Sequence, residues 1–494
     1  MRAPSPCISR WLHACSNEHE LWEFTMTMPT VDLVQATIGE LAPRIARREV
    51  SPVEITLAAI ERTERLQPLL TPFVTFTPEY ALERARAAER EIMQGRYRGP
   101  LHGIPYTLKD VIATAGIRTT WGDPKGVDYR PAEHATVHSL MEEAGAILMG
   151  KVVSEIGRSS INAVGARNAW DLTRSPGTSS SGSGSATAAS LCLASIGTDT
   201  GGSVRHPASN SSLVGMKATF GRISRFGVWA SSWSQDQAGP ITKTVEDNAI
   251  LMNLLGRFDP KDPTSLVEPP YDHLATMRDG IRGVRIGVPV DDWAWSTYTT
   301  EEEEQVCRRA IDQLAALGAS IIEVRMPRAG ESRANSFSLS AETPVYISDH
   351  FSQEQIDAWP DHHSGIANGL KQPFADYLHA QQARGLIKQE VNLAFQQADV
   401  IAFPTGSTYG DTWDAETSTM RGRTIPARSR AVYRNGMASM CGIPALSVPA
   451  GFGHDEQWPI GLQLHGRPLE EALLYRVAYS YEQATPWHNR HPNI

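Results

Sequence analysis

Residues 174–207 read RSPGTSSSGSGSATAASLCLASIGTDTGGSVRHP, and this stretch decides how the rest of the chain is read. Two Gly/Ser-rich loops flank a run of small apolar residues. The first loop is Pro176-Gly177-Thr178-Ser179-Ser180-Ser181-Gly182-Ser183. The second is Gly197-Thr198-Asp199-Thr200-Gly201-Gly202-Ser203. The run between them, residues 186–196, has too few large side chains to anchor a core alone, but its small residues let backbone pack against backbone. Loops this rich in glycine reach positive φ and can bring main-chain N–H groups up to a ligand. A serine that closes Thr-Gly-Gly-Ser has its hydroxyl beside a row of such donors. Acyl transfer needs that pairing of a nucleophile with donors for a developing oxyanion.

Plainer readings fit less well. A Gly/Ser tract is most often a flexible linker. This one is interleaved with Thr, Asp, Leu and Ile and lies in mid-chain. A phosphate cradle is the better rival, yet the stretch has neither Gly-x-x-x-x-Gly-Lys-Ser/Thr nor Gly-x-Gly-x-x-Gly. The Gly-x-Ser-x-Gly nucleophile elbow is also missing, so any serine chemistry needs a different base.

The stretch resembles the signature of the amidase signature family, whose serine amidases carry a motif close to GGSSGGS followed by GTDTGGS. Upstream, Leu101-His102-Gly103-Ile104-Pro105-Tyr106-Thr107-Leu108-Lys109-Asp110 resembles the family's lysine strand. Downstream, Gly442-Ile443-Pro444-Ala445-Leu446-Ser447-Val448-Pro449-Ala450-Gly451 and Gly461-Leu462-Gln463-Leu464-His465-Gly466-Arg467-Pro468 resemble its C-terminal pattern. The likeness runs from about residue 31 to the C-terminus, in several motifs in the correct order. It implies an α/β fold, a large mixed twisted β-sheet core covered by α-helices on both sides. The expected division is a loosely ordered N-terminal extension, residues 1–28, and a single domain, residues 29–494.

The resemblance also implies a Ser-Ser-Lys triad. Ser203 would be the nucleophile, Ser179 a bridging serine on a cis peptide, and Lys109 the base. The backbone N–H groups of Thr200, Gly201, Gly202 and Ser203 would form the oxyanion hole, with Ser180, Asp199 and Arg205 in support. A lysine at its ordinary pKa of about 10.4 is a poor base at neutral pH. Burial away from a counter-charge disfavours an ammonium, and the neutral amine could then draw a proton from Ser203 through Ser179. Two positions depart from the family pattern: Thr178 and Ser181 stand where glycines are usual. A threonine ahead of the expected cis bond tightens that loop.

Composition sets wider bounds. The chain has 494 residues, 41% hydrophobic and 20% charged, enough to bury a sizeable core. Its formal net charge of −9 argues against a nucleic-acid-binding surface, which would need a basic patch. It leaves room for a tRNA-linked role played through a partner. The five cysteines, Cys7, Cys15, Cys192, Cys307 and Cys441, are odd in number and include no C-x-x-C pair. That points to a reducing compartment, here the cytoplasm. No Cys/His cluster has zinc spacing, so neither metal nor cofactor is expected. His362-His363 reads as a solvated pair. No apolar run approaches a membrane span, and residues 1–27 lack the apolar core of a secretory signal. The expected partner is a small-molecule substrate, with no nucleic acid and no membrane, and the chain is expected as a monomer or homodimer.

Along the chain, residues 31–48 predict one amphipathic helix. Ser51-Pro52-Val53-Glu54 predicts a capping box opening a helix that stops before Pro68. Helix and strand then alternate through residues 80–152, with residues 102–109 a strand that has Pro105, Thr107 and Lys109 on one face. Ser154-Glu155-Ile156-Gly157 resembles the family's segment before the signature. Residues 226–240, FGVWASSWSQDQAGP, follow it. In the family the equivalent loop often borders the acyl pocket, so Trp229 and Trp233, with Trp121, are expected to make that pocket broad and apolar. Core filling is the competing reading for both tryptophans. Residues 258–282 predict a connection, and residues 284–326 a β-α-β unit whose acidic run Glu301 to Glu304 suits the helix dipole. Residues 329–372 show no clear period and are expected to supply substrate-selecting loops.

The leading functional expectation is a stand-alone amidase that hydrolyses the C–N bond of an amide, anilide or carbamate. A second is the glutaminase A subunit of a tRNA-dependent amidotransferase, from the same family. Those subunits carry an acid ahead of the late Gly-Leu-Pro-Ala motif, and the matching stretch here, Val432-Tyr433-Arg434-Asn435, has none. A non-catalytic binder that kept the fold is disfavoured because the whole triad is present. A phosphate-binding protein would rest on the glycines alone.

Overall fold

The computed structural model describes residues 30–122, 128–154, 165–331, 333–350, 352–354, 368–406, 412, 415–426, 429–453 and 457–494. The expected N-terminal extension, Glu155 to Gly157, His362-His363 and the side chains of Val432 and Tyr433 lie outside what is described. One 11-stranded mixed sheet organises the rest. In chain order its strands are β1 (Phe73–Phe76), β2 (Pro105–Lys109), β3 (Ile147–Val152), β4 (Ala194–Asp199), β5 (Val214–Lys217), β6 (Gln237–Thr242), β7 (Arg285–Pro289), β8 (Ser320–Val324), β9 (Val400–Pro404), β12 (Ala445–Gly453) and β13 (Trp458–His465). A separate hairpin pairs β10 (Thr417–Met420) with β11 (Arg423–Pro426). Across the large sheet the order is β1-β3-β2-β4-β6-β5-β12-β13-β9-β7-β8.

The parallel trio β3, β2 and β4 positions the site. Its register sets Tyr106 against Ala194, Thr107 against Ser195 and Leu108 against Ile196. All residues of β2 and β4 are buried. The small side chains of β4 suit a strand covered on both faces. Above it the helix Ser181–Ala188 is buried along its whole length. A Cβ on Gly182 would come within 2.4 Å of the Val153 nitrogen, so glycine there permits the close approach.

Local signals explain most boundaries. Ser51 and Glu54 form the expected capping box, with Pro52 in the first turn of the helix Pro52–Leu70. Pro68 does not end that helix. It sits in the last turn, and Thr71, in the left-handed region at φ 47°, closes it. Residues 31–48 form two helices rather than one. Thr37 caps Ile38–Ala46 through a second capping box with Glu40, which ends the preceding helix Thr30–Gln35. The acidic helix Glu301–Ala316 is opened by Thr300 and Glu303 in the same manner.

Residues 329–372 depart most from expectation. They contain a long helix, Arg333–His350, which packs against the helix Phe374–Gln397. Pro344 lies inside it, and Asn335, Ser336, Ser338, Ser340 and Thr343 are weak helix formers, so neighbours rather than propensity hold it. No helix among the described residues is long and apolar enough to cross a membrane.

Candidate active site

Lys109 ends β2 with 1% of its surface exposed. Its Nζ lies 2.6 Å from Ser179 Oγ and 2.7 Å from Thr198 Oγ1. The parallel register explains the second contact, because β4 runs beside β2 and carries Thr198 just past the paired Ile196. Ser180 backs the same strand, with its Oγ donating to the Thr198 carbonyl at 3.2 Å and accepting from the Thr198 N–H at 3.3 Å. The first Gly/Ser loop also meets the chain just beyond Ser203, where the Thr178 N–H donates to His206 Nδ1 at 3.3 Å. Ser179 and Ser203 are half-buried, and Lys109 and Ser180 are buried. The bridging serine differs from expectation in its backbone. Among the described residues no peptide bond is cis, so the bond before Ser179 is trans. Gly177, at φ 108°, supplies the turn ahead of Thr178 without it.

The oxyanion donors differ as well. The Gly202 N–H donates to Asp199 Oδ1 at 2.7 Å and the Val204 N–H to Asp199 Oδ2 at 3.2 Å. Gly202 is therefore engaged in holding the loop, which leaves Thr200, Gly201 and Ser203 as the expected donors. Asp199 is wholly buried and ion-paired with Arg205 at 3.0 Å. Burial opposes its charged form, but the Arg205 guanidinium and the loop N–H groups outweigh that and hold its pKa down to about 2. Arg205 reaches further, donating to Gln463 Oε1 at 2.9 Å and to the Asn435 carbonyl at 2.8 Å. Gly202, at φ 116°, has no room for a side chain: a Cβ would stand 2.4 Å from the Asn435 Cβ.

Asp236 is a site residue that sequence reasoning misses. It is buried, and it accepts from Thr200 Oγ1 on one side and from the N–H groups of Ser231 and Ser232 on the other. Burial pushes its pKa up to about 6 against the pull of those hydrogen bonds. It thus ties the loop that carries Thr200 and Ser203 to the tryptophan loop. Its contact with Thr200 spans 36 positions with one strand, β5, between them, so no local pattern announces it. Thr198 stands in the quoted motif, but its role needs the β2–β4 register.

The three tryptophans do converge, on a cavity of about 250 Å³ that Asp236 also lines. Trp229 is buried, with ring centroids 4.9 Å from Trp121 and 5.7 Å from Tyr346. It belongs to the core and lines the cavity at once. Trp233 is half in solvent, with the Arg225 guanidinium 4.6 Å over its ring.

One group of ligand-type side chains stands elsewhere, where His134, His138 and Glu142 bring one atom each within 4.8 Å of one another. His134 Nδ1 accepts the Ala115 N–H, so the proton of the neutral ring sits on Nε2, which faces Glu142 at 3.8 Å. Glu142 also pairs with Arg84 at 2.9 Å. The Arg84 guanidinium thus already answers the charge of Glu142 in this group. The described cysteines, Cys192, Cys307 and Cys441, are buried thiols outside any disulfide.

Comparison with known proteins follows the same lines. A family model described as amidase matches residues 54–475. The A subunit of glutamyl-tRNA(Gln) amidotransferase from a Cyanothece species is 36% identical, over 93% of this chain and 100% of that protein. Among solved structures, the native peptide amidase of Stenotrophomonas maltophilia superposes with a TM-score of 0.78 at 28% identity, over 94% of this chain and 99% of that one. The glutamyl-tRNA(Gln) amidotransferase A subunit of Thermotoga maritima superposes with a TM-score of 0.75 at 28% identity, over 92% and 96%.

Proposed function

The chain belongs to the amidase signature family, and from that premise we propose that it opens the C–N bond of an amide through an acyl-enzyme on Ser203. The observation that carries the proposal is the buried Lys109 amine within hydrogen-bond distance of Ser179. Ser203 Oγ attacks the carbonyl carbon. Its proton passes to Ser179 Oγ as the Ser179 proton passes to the neutral Lys109 amine. The oxyanion takes hydrogen bonds from the loop N–H groups, for which Thr200, Gly201 and Ser203 are the candidates. Collapse breaks the C–N bond, and the leaving nitrogen takes back the proton along the same relay. A water molecule, deprotonated by that relay, then attacks the ester and restores Ser203. Asp199 and Arg205 hold the loop in shape and touch no reacting atom.

Each of two substrate readings has its own support. Use of glutamine, within a tRNA-dependent amidotransferase assembly, is supported by full-length relatives such as the Cyanothece protein. The comparisons favour that reading over a stand-alone enzyme. A stand-alone amidase acting on an aryl amide, anilide or carbamate is supported by the tryptophan-lined cavity and by Val432, which stands where the amidotransferase pattern has an acid. A cytoplasmic setting suits both.

The test is hydrolysis of an aryl anilide, an aliphatic amide, an aryl carbamate and glutamine by wild type, Ser203→Ala and Lys109→Ala, with intact-mass detection of the acyl-enzyme after acid quenching. Both variants are expected to lose at least about 10³-fold in kcat. Turnover of glutamine alone, with co-purification of partner proteins, selects the first substrate reading. Turnover of the anilide or carbamate by the lone chain selects the second. Undiminished turnover in Ser203→Ala overturns the proposed chemistry.

A further inference from the structure

We propose that the cavity between the helices Arg333–His350 and Phe374–Gln397 is a binding site for an organic ammonium ion with an aromatic or alkyl body. The cavity holds about 580 Å³, the size of a small-molecule site. Its walls include the rings of Trp233, Tyr346, Phe374 and Tyr377 and the carboxylates of Glu342 and Asp349. No lysine, arginine or histidine lines it among the described residues. Aromatic faces attract cations, and carboxylates add to the same field. An anion would meet two negative charges there, and a neutral apolar ligand would leave both uncompensated.

Glu342 shows why the charge is available. It accepts from Ser232 Oγ at 2.5 Å, Ser234 N–H at 2.9 Å, Ser234 Oγ at 2.8 Å and Tyr377 O–H at 3.0 Å. All four donors are neutral. They fix the carboxylate in place without cancelling its charge. The guanidinium groups nearby keep their charge, and Arg225 attracts Glu342 as well as Asp236 and Asp262, so part of the wall's field is offset from outside the cavity lining. Arg225 donates to the Trp233 carbonyl at 2.6 Å and lies over the Trp233 ring. Arg384 donates to the Met440 carbonyl at 2.5 Å and the Ser234 carbonyl at 3.1 Å. Phe374 is 76% exposed and Trp233 51% exposed, so apolar surface stands open at the rim. Trp233 and Tyr346 also line the smaller tryptophan cavity, so a ligand here touches two rings of that cavity.

The experiment is isothermal titration of the full chain with phenethylammonium, 2-phenylethanol and 3-phenylpropionate, which share a ring and differ in charge. The ammonium is expected to bind about tenfold tighter than the alcohol, and the carboxylate more weakly than either. Glu342→Gln should remove most of the preference for the cation. Because that change also touches the serine loop, Phe374→Ala serves as a second variant. Its side chain is exposed, so the fold does not depend on it, and it should weaken the ammonium roughly threefold or more. Equal affinity for all three ligands, or ammonium binding unchanged in both variants, overturns the proposal. None of these ligands is an amide, so the result is independent of the Ser203 chemistry.

Discussion

Around Ser203 charge is buried and directly paired, whereas around Trp233 it is partly exposed and only partly balanced. Asp199 is sealed from solvent and answered by a guanidinium and two loop N–H groups. Glu342 is half-buried, its hydrogen-bond donors among the described residues are neutral, and the Arg225 guanidinium attracts it without a direct ion pair. The first arrangement fixes one loop conformation, since any movement would strand a charge in the interior. The second shapes a wall whose charge can still meet a ligand. Asp236 stands between the two, holding Thr200 with one oxygen and the N–H groups of Ser231 and Ser232 with the other.

The largest expected effect falls on the balanced side. Asp199→Ala leaves Arg205 buried without its counter-charge and frees two loop N–H groups, which should lower stability by roughly 3–5 kcal/mol. Glu342→Ala should cost about 1.5–3 kcal/mol, the scale of lost hydrogen bonds to a charged group. Denaturant midpoints of the two variants, measured side by side, decide it. Equal losses would break the comparison.

The two regions also differ in how much the sequence discloses. The cradle is built from neighbours in the chain. Asp199, Gly202, Val204 and Arg205 close a network within a few residues, so its motif is visible as a motif. What is hidden there depends on strand order. Thr198 meets Lys109 only because β2 and β4 lie parallel in one register, and Asp236 meets Thr200 only because β6 lies next to β4. The Gly202 N–H reads as an oxyanion donor from sequence because its bond to Asp199 is a matter of loop conformation, not of residue type. The wall has no such local closure. Glu342 finds its partners more than a hundred positions back, at Ser232 and Ser234. Its helix carries Pro344 and a run of Ser, Asn and Thr, so the periodicity that reveals a helix is absent. The tryptophans are legible as a group, but their unequal burial is not.

A second prediction sharpens the comparison through pH. Asp199 and Asp236 are both buried acids, shifted in opposite directions. Asp199, held down to about 2 from 3.8, contributes stability that is present above pH 3.8 and lost as pH falls towards 2. Asp236, raised from 3.8 to about 6, keeps its proton in the folded chain where the unfolded chain has released it. Its contribution is whole below pH 3.8 and is lost as pH rises to about 6. Asp236→Asn imitates the protonated form at every pH. The stability drop between about pH 4 and about pH 6.5 should shrink by an amount on the order of 2 kcal/mol in that variant. An unchanged slope would mean that Asp236 is charged throughout this range and that the link to Thr200 does not depend on its proton.

The smallest effect belongs to the rim of the wall. Phe374 leaves 76% of its surface in water, so Phe374→Ala removes little that folding had buried. Its unfolding free energy should lie within about 0.5 kcal/mol of wild type, as for surface substitutions in general. Trp229→Ala, on the buried side of the same aromatic group, should cost about 3–5 kcal/mol, the scale for truncating a large core aromatic. The contrast is sharper than either number alone. A folded protein gains nothing in stability from an open phenyl ring beside a cavity, so a stability-neutral Phe374→Ala locates the value of that ring in what it meets from solution. If Phe374→Ala proved as costly as Trp229→Ala, the ring would be packed in solution, the cavity beside it would be closed, and the distinction between a fixed cradle and an open wall would fall with it.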